Sequence, residues 1–450
     1  MMGTSVNGAD NGVNSKVNEK LGNAGTWGKE GDSSAAGTRS NQGAAGRSFD
    51  VIVVGGGVAG LAVAYYLSGE KSLRIAVVER GTLGHGATWA AAGMLAVQCE
   101  IDRPGPFLTL ALAGRALYAR LGPRLYDETG VDIGLRRCGA LRVALSEEEA
   151  ESLQREAEEQ RSWTLRAQWL DADEVRRLAP ALTPGVVGGL LLPDDGHVDN
   201  RNLVLALAAA CARRGVRLME HTEVTGWLTR QRSGLSREGE VLGVVTGSEK
   251  LFAGAVVLAG GSWSGQLAAR LGVKLPVAPV RGEMVALRTP EEPLECIVFQ
   301  KDACYLVPKP GGRLLVGATE SRVGFRNVPT LGGLGSLASA ATALAPGLGG
   351  AEVSGYWSGL RPGTPDGLPI LGPVPGWSGL YVTTGHYRNG ILLGPLSGLI
   401  IARLIQGEPV PANWRPFALN GRFAAGESDE GWEGDPAGED LNLQEEALSL

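Results

Sequence analysis

Residues 49–60 read Phe49-Asp50-Val51-Ile52-Val53-Val54-Gly55-Gly56-Gly57-Val58-Ala59-Gly60. An apolar strand runs straight into a Gly55-x-Gly57-x-x-Gly60 turn, and an apolar helix follows from Leu61 to Leu67. Arg74 to Val78 reads as a second strand, and it ends in Glu79. Strand, glycine turn, helix, strand and acid stand in the order of a dinucleotide-binding unit. Gly55 permits the tight turn, Gly57 lets backbone approach a pyrophosphate, and Gly60 lets the helix lie close to the sheet. The helix start at Val58 and Ala59 offers free N–H groups and a favourable dipole to an anion. Glu79 follows at about twenty residues, the spacing of a carboxylate that accepts a ribose hydroxyl.

The chain of 450 residues is long enough for two domains. Its net charge of -6, with basic residues scattered, gives no reason to expect a nucleic acid or an anionic membrane as partner. Cys99, Cys138, Cys211, Cys296 and Cys304 are far apart and form no C-x-x-C pair. That pattern points to free thiols, a reducing and cytoplasmic location, and no structural zinc. No apolar run reaches the length of a membrane span. Ile391 to Ile405 is broken by Gly394, Pro395 and Gly398 and reads as a buried helix.

Residues 1–48 are rich in Gly, Asn, Ser and Ala and poor in large apolar side chains, so they are expected to be disordered. They lack the apolar stretch of a secretory signal. The acidic segment 421–450 reads as a second disordered tail.

Between these ends, Gly84 to Met94 is dense in small residues, including Thr88, Ala91, Ala92 and Gly93. Backbone of this kind passes close to something flat or bulky, so the stretch reads as a wall of the cofactor site. Ser146 to Leu178 reads as a solvated helical region laced with ion pairs. Asp199 or Asn200 can cap a helix from Leu203 to Arg213. Val216 to Val224 and Ala255 to Leu258 read as strands, and the second runs into the small-residue turn Ala259-Gly260-Gly261-Ser262-Trp263-Ser264. Residues 277–287, 303–308 and 313–317 read as short strands with turns. The expected architecture is α/β: a discontinuous Rossmann-like nucleotide domain (49–98, 198–274 and 346–420) and a substrate domain with a largely antiparallel sheet (99–197 and 275–345).

These pieces carry a resemblance. The chain is similar to the flavin-dependent amine oxidases of the D-amino-acid oxidase family, in particular the glycine oxidases of thiamine biosynthesis. The matching stretches are the Gly55–Glu79 unit, 90–94, 261–265, 280–283, 304–308 and 316–320. Gly359-Leu360-Arg361-Pro362-Gly363-Thr364-Pro365-Asp366-Gly367 and Gly385-His386-Tyr387-Arg388-Asn389-Gly390-Ile391-Leu392-Leu393 match most specifically. The resemblance implies FAD, where spacing alone leaves FAD and NAD open. Arg80, Val224, Gly260, Gly261, Trp263, His386, Arg388, Asn389, Gly390 and Ile391 join the glycine unit as expected cofactor contacts. It also implies a small amino acid as substrate, O2 as electron acceptor, peroxide as product, a homo-oligomer, and a thiazole synthase as a partner for the imine.

Flavin chemistry asks the protein for position and charge, because the cofactor carries the hard step. Arg361 is the expected clamp, since a guanidinium grips a carboxylate through two parallel hydrogen bonds. Tyr305 is expected to add a hydroxyl and an aromatic wall, and Arg388 to order the site or touch substrate. No obligate acid or base is expected. Residues 390–405 read as a helix whose N–H groups face the flavin pyrimidine. Two departures stand near the expected pocket: Ala303 where some glycine oxidases have His, and Glu320 where some have Met. No Cys follows Cys304, so FAD is expected to be held without a covalent bond. Two other readings stay open here: a dehydrogenase passing electrons to a quinone, and a flavin-binding subunit without turnover.

Overall fold

The computed structural model describes residues 48–69, 73–231, 239–247, 249–290, 292–410, 412–420 and 422–423. Apart from Ser48, the expected disordered segment 1–48 lies outside the described residues, as do residues 424–450 of the expected tail. Ser48 already belongs to the first strand. Arg422 is tied to Asp366 at 2.7 Å, so both boundaries shift slightly.

Two sheets organise the chain. The first runs Ile370–Pro373, Leu380–Thr384, Glu249–Leu258, Ser48–Val54, Ile75–Val78, Arg217–Met219. Its centre is parallel: Ser48–Val54 lies between Ile75–Val78 and Glu249–Leu258. These strands are near-continuous runs of Val, Ile and Ala because both faces are covered. Helices Val58–Leu67, Pro106–Thr129, Asn200–Arg213 and Gly390–Gln406 pack together over one face.

The second sheet runs Glu352–Gly363, Ala278–Arg288, Arg313–Gly317, Cys304–Lys309, Ile297–Gln300, Ala140–Ala144, Gly188–Leu192, Gln168–Asp171. All neighbours are antiparallel except Ile297–Gln300 beside Ala140–Ala144. Period-2 alternation divides its faces. Cys304 and Leu306 join the core beneath helix Leu331–Leu344. Tyr305 and Val307 point the other way, with Met284.

The expected fold class holds, with corrections at four elements. Helix Pro106–Thr129, expected with the substrate domain, buries Leu110, Ala111, Tyr118 and Leu125 in the core of the first sheet. Strand Glu352–Gly363, expected with the nucleotide domain, pairs with Ala278–Arg288 in the second sheet. The strand expected over 216–224 stops at Met219. There the polar chain folds back, and His221 and Thr222 donate N–H to the Gly81 and Glu79 carbonyls. The helical region expected over 146–178 is two helices, Glu147–Ser162 and Ala172–Leu178, split by strand Gln168–Asp171. Asp171 ends the strand and caps the second helix in a reciprocal box with Glu174.

Helix Gly390–Gln406 is apolar enough, from Tyr387, to cross a membrane by length and composition. It instead lies against helix Val58–Leu67. A Cβ at Gly398 would come within 2.5 Å of the Ala62 Cβ, so this crossing demands a bare backbone. The helices that start at Val58 and at Gly390 thus run side by side, and both starts face the same cavity.

Candidate functional site

One cavity of about 550 Å³ extends from the glycine turn to the second sheet. Its nucleotide end is built by the first strand and helix. Gly55 has φ +114°, and a Cβ there would lie 2.3 Å from the Ala259 carbonyl oxygen. Gly60 does not line the cavity. It works from behind, where a Cβ would strike the Gly55 carbonyl oxygen at 2.0 Å. At Gly57 the nearest obstacle to a Cβ is Thr88 Oγ1 at 3.3 Å, so the backbone there presents a bare surface to the cavity. Val58 and Ala59 follow on the lining. Glu79 also lines it, with Oε2 accepting from Gly56 N–H at 2.8 Å and Oε1 from Gly81 N–H at 2.9 Å. A carboxylate offers about four lone-pair positions, so two remain for ribose hydroxyls. Arg80 stacks its guanidinium 3.7 Å above the Trp263 ring. Val224, Gly260 and Gly261 complete this end.

The middle of the cavity is walled by Thr88, Ala91, Ala92, Gly93 and Met94. The wall is braced from behind. Thr88 Oγ1 accepts from Val58 N–H at 3.1 Å, and Asn200 Nδ2 donates to the Thr88 carbonyl at 2.7 Å. Lys309 Nζ donates to the Val198 carbonyl at 2.7 Å, and Val198 N–H donates to the Gly93 carbonyl. Lys309 Nζ also lies 3.3 Å from His197 Nδ1, and burial, opposed by the Asp199 carboxylate, pushes its pKa down to about 7. Across from this wall stand His386, Gly390 and Ile391. His386 Nε2 lies 2.9 Å from Ser397 Oγ, and burial drops its pKa to about 4, so it is a neutral tie between turn and helix. Asn389 does not line the cavity. It is the residue before the helix, and its N–H is used by the His386 carbonyl.

At the far end the second sheet contributes Tyr305 and Arg361. Arg361 sits on strand Glu352–Gly363 and faces Gly282 of the neighbouring strand, where its guanidinium occupies the space a side chain would take. Its Nη1 donates to the Thr319 carbonyl at 3.1 Å. No carboxylate among the described residues forms an ion pair with it. Tyr305 is buried with its hydroxyl 3.2 Å from Met284 Sδ. Burial raises its pKa, and the nearby Arg361 and Arg388 oppose that rise.

Arg388 reaches the same end but is already occupied. Its Nε and Nη2 donate to the two Glu100 oxygens at 2.8 and 3.0 Å. Glu100 was missed by the sequence reading, as were Tyr387 and Asn327. Glu100 lies only six residues beyond Met94. Following the small-residue wall a little further would have reached it, but nothing in its own neighbourhood marks it. Its partner is 288 positions away.

A bare glycine turn, a small-residue wall and a second helix start fit a flavin with its nucleotide. The glycine turn and Glu79 could hold the adenine nucleotide of FAD, with the rest of the cavity open to the flavin. These features define a flavin oxidoreductase. The FAD-dependent oxidoreductase (DAO) profile matches residues 50–404, and the chain belongs to that family of enzymes.

Among curated relatives, glycine oxidase of Geobacillus kaustophilus (strain HTA426) is 43% identical over 372 residues, covering 82% of this chain and 96% of that protein. The bifunctional protein ThiO/ThiG of Synechocystis sp. (strain ATCC 27184 / PCC 6803 / Kazusa) is 38% identical over 367 residues, covering 80% of this chain and 52% of that protein. The crystal structure of glycine oxidase from Geobacillus kaustophilus superposes with a TM-score of 0.78 at 41% identity, covering 84% of this chain and all of that one.

Proposed function

We propose that this enzyme oxidises glycine, and with it sarcosine and small D-amino acids, using FAD held without a covalent bond. The overall conversion is glycine, O2 and water to glyoxylate, ammonia and H2O2. The carrying observation is that Arg361, with no acid partner among the described residues, meets Tyr305 at one end of a cavity whose other end is the glycine turn. Bound FAD supplies a two-electron acceptor for the hydrogen on the substrate Cα.

The chain's own residues do the rest. Arg361 receives the substrate carboxylate through its fork and fixes the orientation of Cα, which is a large part of the barrier. Tyr305 adds a hydroxyl to that carboxylate and a flat wall beside it. No side chain is needed as acid or base: His386 is neutral and tied to Ser397, and Glu100 is committed to Arg388. No cysteine lines the cavity among the described residues, which supports non-covalent retention. The helix start at Gly390 points N–H groups at the site and favours a reduced, anionic ring.

Where a thiazole-forming partner is present, the imine formed first is handed to it before water converts it to glyoxylate and ammonia. The Synechocystis relative, a bifunctional protein of which this chain spans about half, supports such a hand-over. The five dispersed free thiols support a cytoplasmic location. A homo-oligomer belongs to the same reading.

Peroxide release on adding glycine to the aerobic holoenzyme tests the proposal. Oxygen-coupled peroxide supports it. Turnover with a quinone only would replace the oxidase by a dehydrogenase. Silence with both would reduce the protein to a flavin-binding subunit.

A further inference from the structure

The substrate end of the cavity holds two guanidiniums and one carboxylate: Arg361, Arg388 and Glu100 all line it. Their pairing is unequal. Glu100 takes Arg388 through both oxygens, at 2.8 and 3.0 Å, and among the described residues no acid pairs with Arg361. A fork-on-fork pair of this kind is directional and strong, and it satisfies both partners at once.

Glu100 is also held in place from its backbone. It ends the short helix Val97–Glu100. The N–H groups of Gln98 and Cys99 in that helix donate to the carboxylate of Asp195 at 3.1 and 3.2 Å. Asp195 is fully buried and pairs with Arg115 at 2.7 Å. The Glu100 side chain is only 11% exposed against 36% for Arg388, so the acid is the better fixed of the two. The carboxylate is therefore part of the cavity frame.

We propose that Glu100 is the residue that sets the charge class of the substrate. By cancelling Arg388 it leaves Arg361, among the described residues at this end, as the cation for one carboxylate, and it turns away amines that carry a second acidic group. A second carboxylate near Arg388 meets a guanidinium already neutralised and an anion beside it. Like charges at this distance repel, and burying an unpaired one is costly. Discrimination here comes from a repulsive element as well as an attractive one. This inference rests on the amino-acid oxidase reading of the same site.

The test compares sarcosine with iminodiacetate, two secondary amines that differ by the second carboxylate. The ratio of their kcat/KM values is measured by peroxide release in the wild-type holoenzyme and in Glu100→Gln. The substitution keeps shape and removes the charge. The iminodiacetate-to-sarcosine ratio is expected to rise at least tenfold, carried mainly by KM, because the gain is in binding. Adding Arg388→Met to the Glu100→Gln protein is expected to erase the gain. An unchanged ratio in Glu100→Gln, or a gain that survives without Arg388, overturns the proposal.

Peroxide from wild-type enzyme with glycine checks the underlying reading separately. Its absence would sink that reading, while an unchanged ratio in active enzyme sinks only the role of Glu100. Where Glu100→Gln loses turnover but keeps its flavin, malonate and acetate are titrated into the holoenzyme and followed by flavin absorbance. A malonate-to-acetate affinity ratio at least tenfold above wild type supports the proposal, and an equal ratio overturns it. Glu100→Ala serves in the same measurements should Glu100→Gln not accumulate.

Discussion

Gly282→Ala isolates the position of Arg361 from its charge. The guanidinium fills the space over Gly282, and a Cβ there would lie 2.4 Å from its Cζ, Nη1 and Nη2. Ordinary contact begins near 3.4 Å, so the fork must retreat by about 1 Å. What must give is the far end of a long side chain, so the strand pairing survives and the folding cost stays small. The catalytic cost does not, because a misplacement of about 1 Å costs on the order of 10²-fold. We expect Gly282→Ala to keep full flavin and a Tm within about 2 °C of wild type, since about 1 kcal/mol moves Tm by a few degrees. Its kcat/KM for glycine is expected to fall about 100-fold. Steady-state peroxide release over a glycine range, on protein matched for flavin content, reads this out. A kcat/KM within threefold of wild type would refute the reasoning, because Arg361 would then not need its present place.

Arg361→Ala removes the clamp itself. Loss of a charged hydrogen-bonding partner costs about 1.5–3 kcal/mol, so KM for glycine should rise at least tenfold; unchanged kinetics would remove the assignment. Gly398→Leu overfills the crossing with helix Val58–Leu67 and should cost about 1–3 kcal/mol of stability, seen as a lower unfolding midpoint in urea. Lys309 gives a pH signature. Its folded pKa is about 7, below the roughly 10.4 of an unfolded lysine, so the unfolded chain binds the extra proton between those values. The penalty is full below about pH 7 and fades as pH rises toward 10.4. Lys309→Met should therefore gain stability relative to wild type on going from pH 10 to pH 7, and a Tm difference that does not vary with pH would contradict the buried charge.

The nucleotide end was legible in the chain because its information is local. A tight turn, a helix start and an acid at the end of the next strand lie within about thirty residues, and each acts through backbone that its own side chains leave bare. Gly55, Gly57 and Glu79 line the cavity, and so does the small-residue wall through Met94. Gly60 shows the limit of such reading: its role is legible, its place outside the cavity is not. Strand and helix types also followed from periodicity, while the break after Met219 and the split of the 146–178 region did not. There, hydrogen bonds to distant backbone and a capping box overrode a pattern that continued in sequence.

The substrate end was decided only by the folded chain. Arg361 and Tyr305 could be named singly, but their meeting depends on two strands of one sheet and on the empty space over Gly282. Arg388 reads in the sequence as ordering the site or touching substrate, and the fold sets Glu100 against it from 288 residues away. A charge is a property of one residue and can be read from a sequence. Whether that charge is spent depends on distance, and distance between remote residues exists only once the sheets and helices have packed.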